Sequence, residues 1–410
     1  MNKLKFGGRS QLRCSLIPSI AGLEIYGSNL IVVATVVLLF SASFMQLASA
    51  APWRLTDPMS IARYRHSATL LSNGKVLVAG GYDNEADSLA TAELFNFANE
   101  KWTMTGSMND MRGDHTATKL KNGMVLVTGG FVFYQREFYG KLATAELFNP
   151  HTGSWQRAGS MTVARVAHTA TLLANGQVLV AGGGADSGAT NVADIYDYAQ
   201  NTWTATGSLN TARLGHTATL LRDGKVLIVG GVDDEGDVLT SAELYNPSNG
   251  TWTNTGFLNT GRYAHTATLL PNGKVLVAGG YDTDNLALVN SELFDPSTET
   301  WTETSTPLNA PRGEQVATLL FNGQVLFTGG FGFTSFGDAL SSVEIFCPRT
   351  AVWTIVDPLN FARGNHTSTL LPNGKVLVTG GYDDHQSGAL STVEINGPLP
   401  FHATKRQTRK

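Results

Sequence analysis

Short segments of alternating apolar and polar residues recur through most of this 410-residue chain. In one copy, HTATLL at residues 216–221 alternates as a half-buried strand does, whereas KVLIVGG at residues 225–231 is apolar on both faces. The dipeptide Asp223-Gly224 between them suits a type I′ hairpin turn, whose two central residues need a positive φ. A third segment, AELF or a close variant, and a fourth that begins at a Trp follow. Each unit therefore predicts a four-stranded antiparallel sheet.

This unit occurs seven times with a period of about fifty residues, and three markers identify each copy. A Gly pair ends the second strand, at Gly80-Gly81, Gly129-Gly130, Gly182-Gly183, Gly230-Gly231, Gly279-Gly280, Gly329-Gly330 and Gly380-Gly381. An Asn-Gly or Asp-Gly turn precedes that strand, with its glycine at Gly74, Gly123, Gly176, Gly224, Gly273, Gly323 and Gly374. A Trp opens the fourth strand, at Trp53, Trp102, Trp155, Trp203, Trp252, Trp301 and Trp353. A second strand that is apolar on both faces requires a sheet covered on both sides. A closed ring of sheets provides this, so the chain is predicted to be an all-β, seven-bladed β-propeller.

The first and last units of the chain are each incomplete. The last contains His366, Gly380-Gly381 and Glu394 but no Trp after them, and the chain after residue 50 begins with APWRL around Trp53. We therefore predict that the strand at Trp53 becomes the fourth strand of the seventh blade and closes the ring.

The first 50 residues differ from the rest in composition. Lys3, Lys5, Arg9 and Arg13 precede an uncharged run at residues 29–50, which ends in a small-residue sequence at Ala48-Ser49-Ala50. This pattern predicts a hydrophobic helix that is either a cleaved signal peptide or a retained signal anchor. Both alternatives export the remainder, so the propeller is expected to be secreted or anchored outside the cytoplasm, touching a membrane only through this helix. The predicted divisions are residues 1–50, a propeller at 51–397 and a basic tail at 398–410.

The Gly pair, the acidic and aromatic residues of the third strand, the Trp and the period together resemble the kelch repeat. The resemblance covers residues 53–395 and implies a seven-bladed propeller like the central domain of galactose oxidase. For function it implies a binding scaffold, a cytoskeletal partner, a ubiquitin-ligase substrate receptor or a sugar enzyme. A net charge of -4 with no basic cluster argues against nucleic-acid binding.

Residues repeated in every unit are interpreted as structural. Six units carry Arg-x-x-His, and the other carries Arg312 with Gln315. A carboxylate on the third strand accompanies each Arg, which predicts buried ion pairs, and each His is expected to bond to backbone of a neighbouring strand. Ligands of one metal ion must converge on a point, which residues spread around a ring do not do. No metal, cofactor or catalytic residue is therefore predicted.

The connections between second and third strands vary, and function is expected there. Most are short and acidic, with an Asp at 83, 233, 282 and 383 that is interpreted as a turn former, calcium binding being the alternative. Units two and six instead carry FVFYQREFYGKL and FGFTSFGDAL. Their predicted binding residues are Phe131, Phe133, Tyr134, Arg136, Phe138, Tyr139, Phe331, Phe333 and Phe336. The alternative is that these rings fold over and cap their own blades.

The links between blades should open on the same face and line the mouth of the central channel. The residues between Arg and His differ among units, and those predicted to bind ligand are Tyr64, Arg65, Asp114, Tyr263 and Glu314. This mixed polarity suits a polar ligand such as a sugar or a peptide.

Three classes of function remain open from these residues, and the third of them is a purely structural subunit of a surface array or of an adhesion assembly. The first is an extracytoplasmic interaction module that holds a protein or glycan on one face of the propeller. The second is a carbohydrate-active enzyme. A galactose-oxidase-like copper site would need a Cys joined to a Tyr, for which Cys347 is the only exported cysteine. A mutarotase-like site would need an Arg and a carboxylate, which Arg65, Asp114 and Glu314 could supply.

Overall fold

Seven four-stranded antiparallel sheets form a closed ring in the computed structural model, which describes residues 52–135, 137–334, 337–385 and 388–397. The innermost strand of each blade contacts the innermost strands of the two adjacent blades, and the seventh contacts the first. The seven-bladed, all-β propeller is confirmed. The predicted N-terminal helix and basic tail lie outside the described residues. Within them, no helix has the length and apolar content needed to cross a membrane.

The blades follow the order of the repeats, from the innermost strand outward. Blade 1 consists of Ser67–Leu70, Val76–Ala79, Ala92–Asn96 and Lys101–Met104. Blade 2 consists of Thr116–Lys119, Val125–Thr128, Thr144–Asn149 and Ser154–Ser160. Blade 3 consists of Thr169–Leu172, Val178–Ala181, Ala193–Asp197 and Thr202–Ala205. Blade 4 consists of Thr217–Leu220, Val226–Val229, Ala242–Asn246 and Thr251–Asn254. Blade 5 consists of Thr266–Leu269, Val275–Ala278, Ser291–Asp295 and Thr300–Glu303. Blade 6 consists of Val316–Leu319, Val325–Thr328, Val343–Cys347 and Val352–Val356. Blade 7 consists of Thr367–Leu370, Val376–Thr379, Val393–Ile395 and Arg54–Leu55.

Additional short hairpins project from four blades, between the second and third strands. They are Phe131–Tyr134 with Glu137–Lys141, Gly184–Ala185 with Gly188–Ala189, Phe331–Thr334 with Gly337–Ala339, and Tyr382–Asp383 with Gly388–Ala389. We call the first the blade 2 hairpin and the third the blade 6 hairpin.

The ring closes through the chain start, as predicted. Arg54 pairs with Ile395 and Leu55 with Glu394, so the first strand completes blade 7. The Trp53 side chain is only 7% exposed, and its Nε1 donates to the carbonyl oxygen of Asp357 at 3.1 Å. The two termini of the propeller are therefore joined by both hydrogen bonds and apolar packing.

The turn within the first hairpin of each blade differs from the predicted type. In blade 1 the amide of Gly74 donates to the Leu71 carbonyl at 3.1 Å, and the amide of Leu71 donates to the Lys75 carbonyl at 2.8 Å. Gly74 has φ +83°, but Asn73 is not among the residues with positive φ. The prediction of a type I′ turn is therefore wrong. The loop has three residues, a type I turn followed by a glycine in the left-handed region, and only the glycine needs the unusual conformation.

Each blade contains a buried Arg–carboxylate pair, and we call the seven together the ion-pair ring. The N–O distances are 3.1, 3.0, 2.7, 2.9, 3.0, 2.7 and 2.7 Å for Arg63–Glu93, Arg112–Glu146, Arg165–Asp194, Arg213–Glu243, Arg262–Glu292, Arg312–Glu344 and Arg363–Glu394. Arg213 also donates to the Gly230 carbonyl at 2.8 Å, and Glu243 accepts the backbone amides of Asn210 and Thr211. Burial lowers the pKa of Arg213 against the opposing attraction of Glu243. The pairs are thus held by hydrogen bonds to backbone as well as by charge.

The repeated His residues connect neighbouring blades. Nε2 of His168 contacts the hydroxyls of Thr116 and Thr128 in blade 2 at 3.0 and 3.1 Å, and Nε2 of His366 contacts Thr328 at 2.8 Å. The expected partner was backbone, but the His partners are side-chain hydroxyls. Gln315, which replaces the His in blade 6, does donate to backbone, at the Ala278 carbonyl.

Candidate binding face

Two sets of connections lie on one face of the propeller, which we call the upper face. In every blade the residue after the Gly pair forms an antiparallel bridge with the residue after the repeated Arg. The pairs are Tyr64–Tyr82, Gly113–Phe131, Val166–Gly184, Leu214–Val232, Tyr263–Tyr281, Gly313–Phe331 and Gly364–Tyr382. The hairpins and the mouth of the channel are therefore continuous, as the strand order predicted.

Seven residues with positive φ form a collar around the channel at this face. They are Arg65, Asp114, Ala167, Gly215, Ala264, Glu314 and Asn365, with φ between 50° and 64°. Their backbones bond to one another around the axis: the amide of Arg65 donates to the Asn365 carbonyl at 2.9 Å, and the amide of Asp114 donates to the Arg65 carbonyl at 3.2 Å. Non-glycine residues are uncommon in this conformation. The conformation nevertheless recurs in all seven blades, which shows that the fold imposes it.

Three charged side chains of the collar converge. The Arg65 guanidinium binds Asp114 Oδ1 through Nη1 and Glu314 Oε1 through Nη2, each at 3.0 Å. The side chains are 24%, 18% and 15% exposed, so the cluster is partly open to water. Burial lowers the pKa of Arg65, but the two carboxylates outweigh it and the net direction is upward. Burial raises the pKa of Glu314 above its usual value, against the attraction of Arg65.

Tyrosines line the mouth next to this cluster. The rings of Tyr64 and Tyr82 lie 5.4 Å apart, Tyr64 and Tyr382 lie 5.3 Å apart, and those of Tyr263 and Tyr281 lie 5.5 Å apart. The Tyr82 hydroxyl donates to Asp114 Oδ2 at 3.1 Å. Such rings have an apolar body and a polar end, which suits them to contact a ligand.

Tyr281 occupies the equivalent position in blade 5 but lacks the equivalent bond. Its ring covers Gly313 as the ring of Tyr82 covers Gly113, since a Cβ at either glycine would lie 2.2 to 2.3 Å from the ring. Its hydroxyl is buried and has no hydrogen-bond partner among the described residues. Glu314 is one methylene longer than Asp114, and its Oε1 is bound by Arg65.

The blade 2 hairpin carries three exposed aromatic rings. Tyr134, Phe138 and Tyr139 are 40%, 56% and 61% exposed. Phe133 is half-buried, because its backbone exchanges hydrogen bonds with Ser88 of blade 1. Phe131 is also half-buried and contacts Phe138 edge-on at 5.4 Å.

The blade 6 hairpin presents one described exposed ring, Phe333, at 63%. Phe331 is fully buried and packs on Gly364 of blade 7, where a Cβ would lie 2.1 Å from the ring. The interpretation of Phe331 as a ligand contact does not fit this burial, and its ring covers the neighbouring blade 7 rather than its own blade 6. Arg136 and Phe336, also predicted to bind, lie outside the described residues.

The recurring Asp of the short acidic connections forms turns. Asp83 Oδ1 accepts the amides of Glu85 and Asp87, and Asp282 Oδ1 accepts those of Asp284 and Leu286. These oxygens are engaged by the loop's own backbone, which supports the turn interpretation over calcium binding.

The residues do not fit a galactose-oxidase-like copper site. Cys347 ends a third strand, in register with Val352 across the turn at the opposite face, so it is far from the mouth. Five of the six His of the Arg-x-x-His units are buried and His115 is half-buried, and the Nε2 atoms of all six contact hydroxyls of the neighbouring blade. The described connections of the upper face carry His385, exposed beside Asp338 and Asp384, but no Cys, so they do not supply the Cys–Tyr part of such a ligand set.

Sequence reasoning overlooked several residues of the mouth. Tyr82, Tyr281 and Tyr382 were read only as part of acidic loops, although each directly follows a Gly pair. Asn365 also lies between a repeated Arg and His, and nothing in the sequence indicated that it belongs to the collar. The available signal was the position after the Gly pair, which is aromatic in five of the seven units.

Comparison with known proteins identifies the family. The family model for the KLHDC2/KLHL20/DRC7 kelch-repeats domain matches residues 167–381, and that for the Attractin/LZTR1 β-propeller matches residues 41–239. The first match spans more than half of the chain, so the protein belongs to the kelch-repeat family. Kelch β-propellers are protein-interaction modules. No curated protein matches the chain.

Two solved structures share the fold. A fungal alcohol oxidase of the AA5 family, in complex with copper, superposes with a TM-score of 0.69 at 17% identity over 85% of this chain and 77% of its own. The structure of YjhT superposes with a TM-score of 0.58 at 15% identity over 74% of this chain and 99% of its own. At such identities the likeness concerns the fold alone.

Proposed function

We propose that this protein is an extracytoplasmic kelch propeller that holds a protein or glycan ligand on its upper face. The observation that carries the proposal is the exposure of Tyr134, Phe138, Tyr139 and Phe333 on two hairpins beside a polar mouth. Exposed aromatic clusters on loops above a rigid scaffold are typical of binding surfaces.

The geometry supports contact by a single ligand with both hairpins. They stand on blades 2 and 6, separated along the shorter arc of the ring only by blades 7 and 1. The mouth tyrosines Tyr64, Tyr82 and Tyr382 belong to those intervening blades. A ligand spanning the hairpins would therefore pass over aromatic rings and the Arg65 cluster.

The extracytoplasmic location rests on the sequence of the first 50 residues. Their basic flank, apolar run and small-residue end are those of an export signal. Expression in a secreting host, with mass determination of the mature N-terminus, tests export: a product retained in the cytoplasm would contradict it.

Binding is tested by replacing the exposed rings. Binding partners are first collected on a glycan array and by capture from cell-envelope extract. We expect the Tyr134→Ala/Phe138→Ala/Tyr139→Ala/Phe333→Ala variant to lose binding while its Tm is unchanged. Phe321→Ala is the matched control, since Phe321 is 58% exposed but lies beside the Asn322-Gly323 turn at the opposite face. Equal binding by both variants would reject this face as the binding site.

A second candidate, a sugar-converting enzyme, is favoured by the convergence of Arg65 with two carboxylates and Tyr82. A raised Glu314 pKa beside a cation is the type of environment in which a carboxyl group transfers protons. An anomer-exchange assay by NMR, with Glu314→Gln as control, tests it. Equal rates with and without protein would exclude this activity for the sugars tried.

A further inference from the structure

Charge is distributed unequally between the two faces of the propeller. The connections between second and third strands on the upper face, residues 82–91, 131–143, 184–192, 232–241, 281–290, 331–342 and 382–392, contain 14 Asp or Glu and 2 Lys or Arg. The turns at the opposite face, residues 71–75, 97–100, 120–124, 150–153, 173–177, 198–201, 221–225, 247–250, 270–274, 296–299, 320–324, 348–351 and 371–375, contain 3 Asp or Glu and 7 Lys or Arg. The net charge of the whole chain, -4, does not reveal this difference in charge between the two faces.

Six of the acidic side chains in these connections are exposed and have no cationic partner among the residues that the structure describes. Glu85, Glu137, Asp234, Glu235, Asp237 and Asp284 are exposed, and none forms an ion pair with a described Lys, Arg or His. The ion pairs found on these connections involve other residues, such as Lys141 with Asp186 at 3.7 Å. Like charges held together in this way repel one another, which a cationic partner would relieve.

Acidic groups of blades 1 and 2 lie directly beside the exposed rings of the blade 2 hairpin. Glu137 is in the blade 2 hairpin itself, between Tyr134 and Phe138. The backbone amide of Gln135 in the same hairpin donates to Asp87 of blade 1, which brings the acidic blade 1 loop against it. The Lys141 ammonium lies 6.0 Å from the centre of the Phe131 ring, within the range of a cation–π contact. The upper face thus offers carboxylates and aromatic faces together.

We propose that the upper face binds a cationic polypeptide, a Lys- and Arg-rich segment that also carries apolar side chains. The inference rests on the proposed function and specifies the chemistry of the partner. Lysine and arginine have an apolar stem and a cationic end, so one such side chain can pack on an exposed ring and pair with a neighbouring carboxylate. Anionic partners would meet the repulsion of the same carboxylates. A neutral glycan would use the rings but gain nothing from the charge.

The test uses the full chain and three labelled peptides of equal length: one of Lys and Leu, one with Ser in place of Lys, and one with Glu in place of Lys. Fluorescence anisotropy should show the Lys peptide binding at least about tenfold more tightly than the Ser peptide, and the Glu peptide more weakly still. The difference should shrink as the salt is raised from about 50 to about 500 mM, because exposed charges are screened. Equal affinities for the three peptides would overturn the proposal.

Charge-neutralising variants locate the effect. Glu85→Gln/Glu137→Gln/Asp284→Asn removes three exposed charges from connections that lie in or against the blade 2 and blade 6 hairpins, and leaves the turn-forming aspartates in place. We expect the Lys peptide to bind roughly tenfold more weakly, mainly through a slower association rate. Glu299→Gln/Glu303→Gln/Asp357→Asn removes three charges outside the upper connections and should change binding less than about twofold. Equal losses in the two triple variants would reject a local acidic site.

A ligand from the glycan array distinguishes this inference from the proposed function. If the four-ring variant abolishes binding of that ligand while Glu85→Gln/Glu137→Gln/Asp284→Asn does not, the binding face stands and the cationic partner is wrong. If neither affects any ligand, both proposals fail.

Discussion

The ion-pair ring and the Arg65 cluster of the collar both pair arginine with carboxylates, yet they differ in almost every other respect. A pair such as Arg213–Glu243 is fully buried, has backbone partners on both sides and recurs in every blade. The Arg65 cluster is partly exposed, occurs once and joins three different blades. The same chemical pair thus stabilises the blade in one place and shapes a unique surface in the other.

Repetition explains the difference. A residue needed by the architecture of each blade must recur in each blade, whereas a ligand meets the mouth as a whole. The collar combines the two: its backbone repeats in seven blades, but its side chains range from glycine to arginine. Function is therefore expected where a repeated backbone carries unrepeated side chains.

The largest expected effect is a loss of folding stability at low pH. Burial lowers the pKa of His115 and of His216 to about 3, and that of the other four buried His in the same direction. Because these values lie below the unfolded value of about 6.5, their contribution is complete above pH 6.5 and is lost as the pH falls towards 3. His115 and His216 should each cost about 1.4 kcal/mol per pH unit in that window, and the other four His act in the same direction. A Tm that stays constant between pH 7 and pH 5 would contradict this.

Breaking one pair of the ion-pair ring should be the next largest effect. Arg213→Met leaves Glu243 buried without its cation and should reduce the free energy of unfolding by about 3 to 5 kcal/mol. Arg213→Lys keeps the charge but not the planar set of donors, so an intermediate loss is expected. Urea denaturation measures both. A loss below about 1 kcal/mol for Arg213→Met would show that the pair is not structural.

The same substitution in the collar sharpens the comparison. Arg65→Met should cost about 1 kcal/mol, because water can reach Asp114 and Glu314 when the guanidinium is removed. Urea denaturation of Arg65→Met and Arg213→Met under the same conditions compares their losses in the free energy of unfolding directly. Equal losses for the two variants would mean that the collar is as structural as the ion-pair ring.

The smallest effect is expected from Tyr281→Phe, and Tyr82→Phe is its matched comparison in the mouth. Tyr82→Phe removes a hydrogen bond to the Asp114 carboxylate and should cost about 1.5 kcal/mol. Tyr281→Phe removes a buried hydroxyl that has no described partner, so the free energy of unfolding should change by less than about 0.5 kcal/mol. Calorimetry of both variants tests the difference, and a Tyr281→Phe loss as large as that of Tyr82→Phe would contradict it.

Much of the propeller was predictable because it depends on local and repeated signals. The Gly pairs, the turn glycines and the Trp positions identify each strand, and the missing Trp in the last unit predicts that Trp53 closes the ring. The turn type was not predictable from the Asn-Gly dipeptide alone, because that dipeptide also suits the three-residue loop that the structure shows. Candidate residues such as Arg65, Asp114 and Glu314 were recognised as variable, but not as bonded to one another.

By itself the sequence determined the number of blades, the order of strands and the residues that must be buried, since these follow from periodicity and from neighbours along the chain. Only the tertiary structure decided that Arg65 reaches both Asp114 and Glu314, and that Phe331 is covered while Phe333 is exposed. Those relations join residues as much as 249 positions apart. They arise because the chain closes into a ring, and a local sequence pattern does not specify which residues of distant repeats will meet.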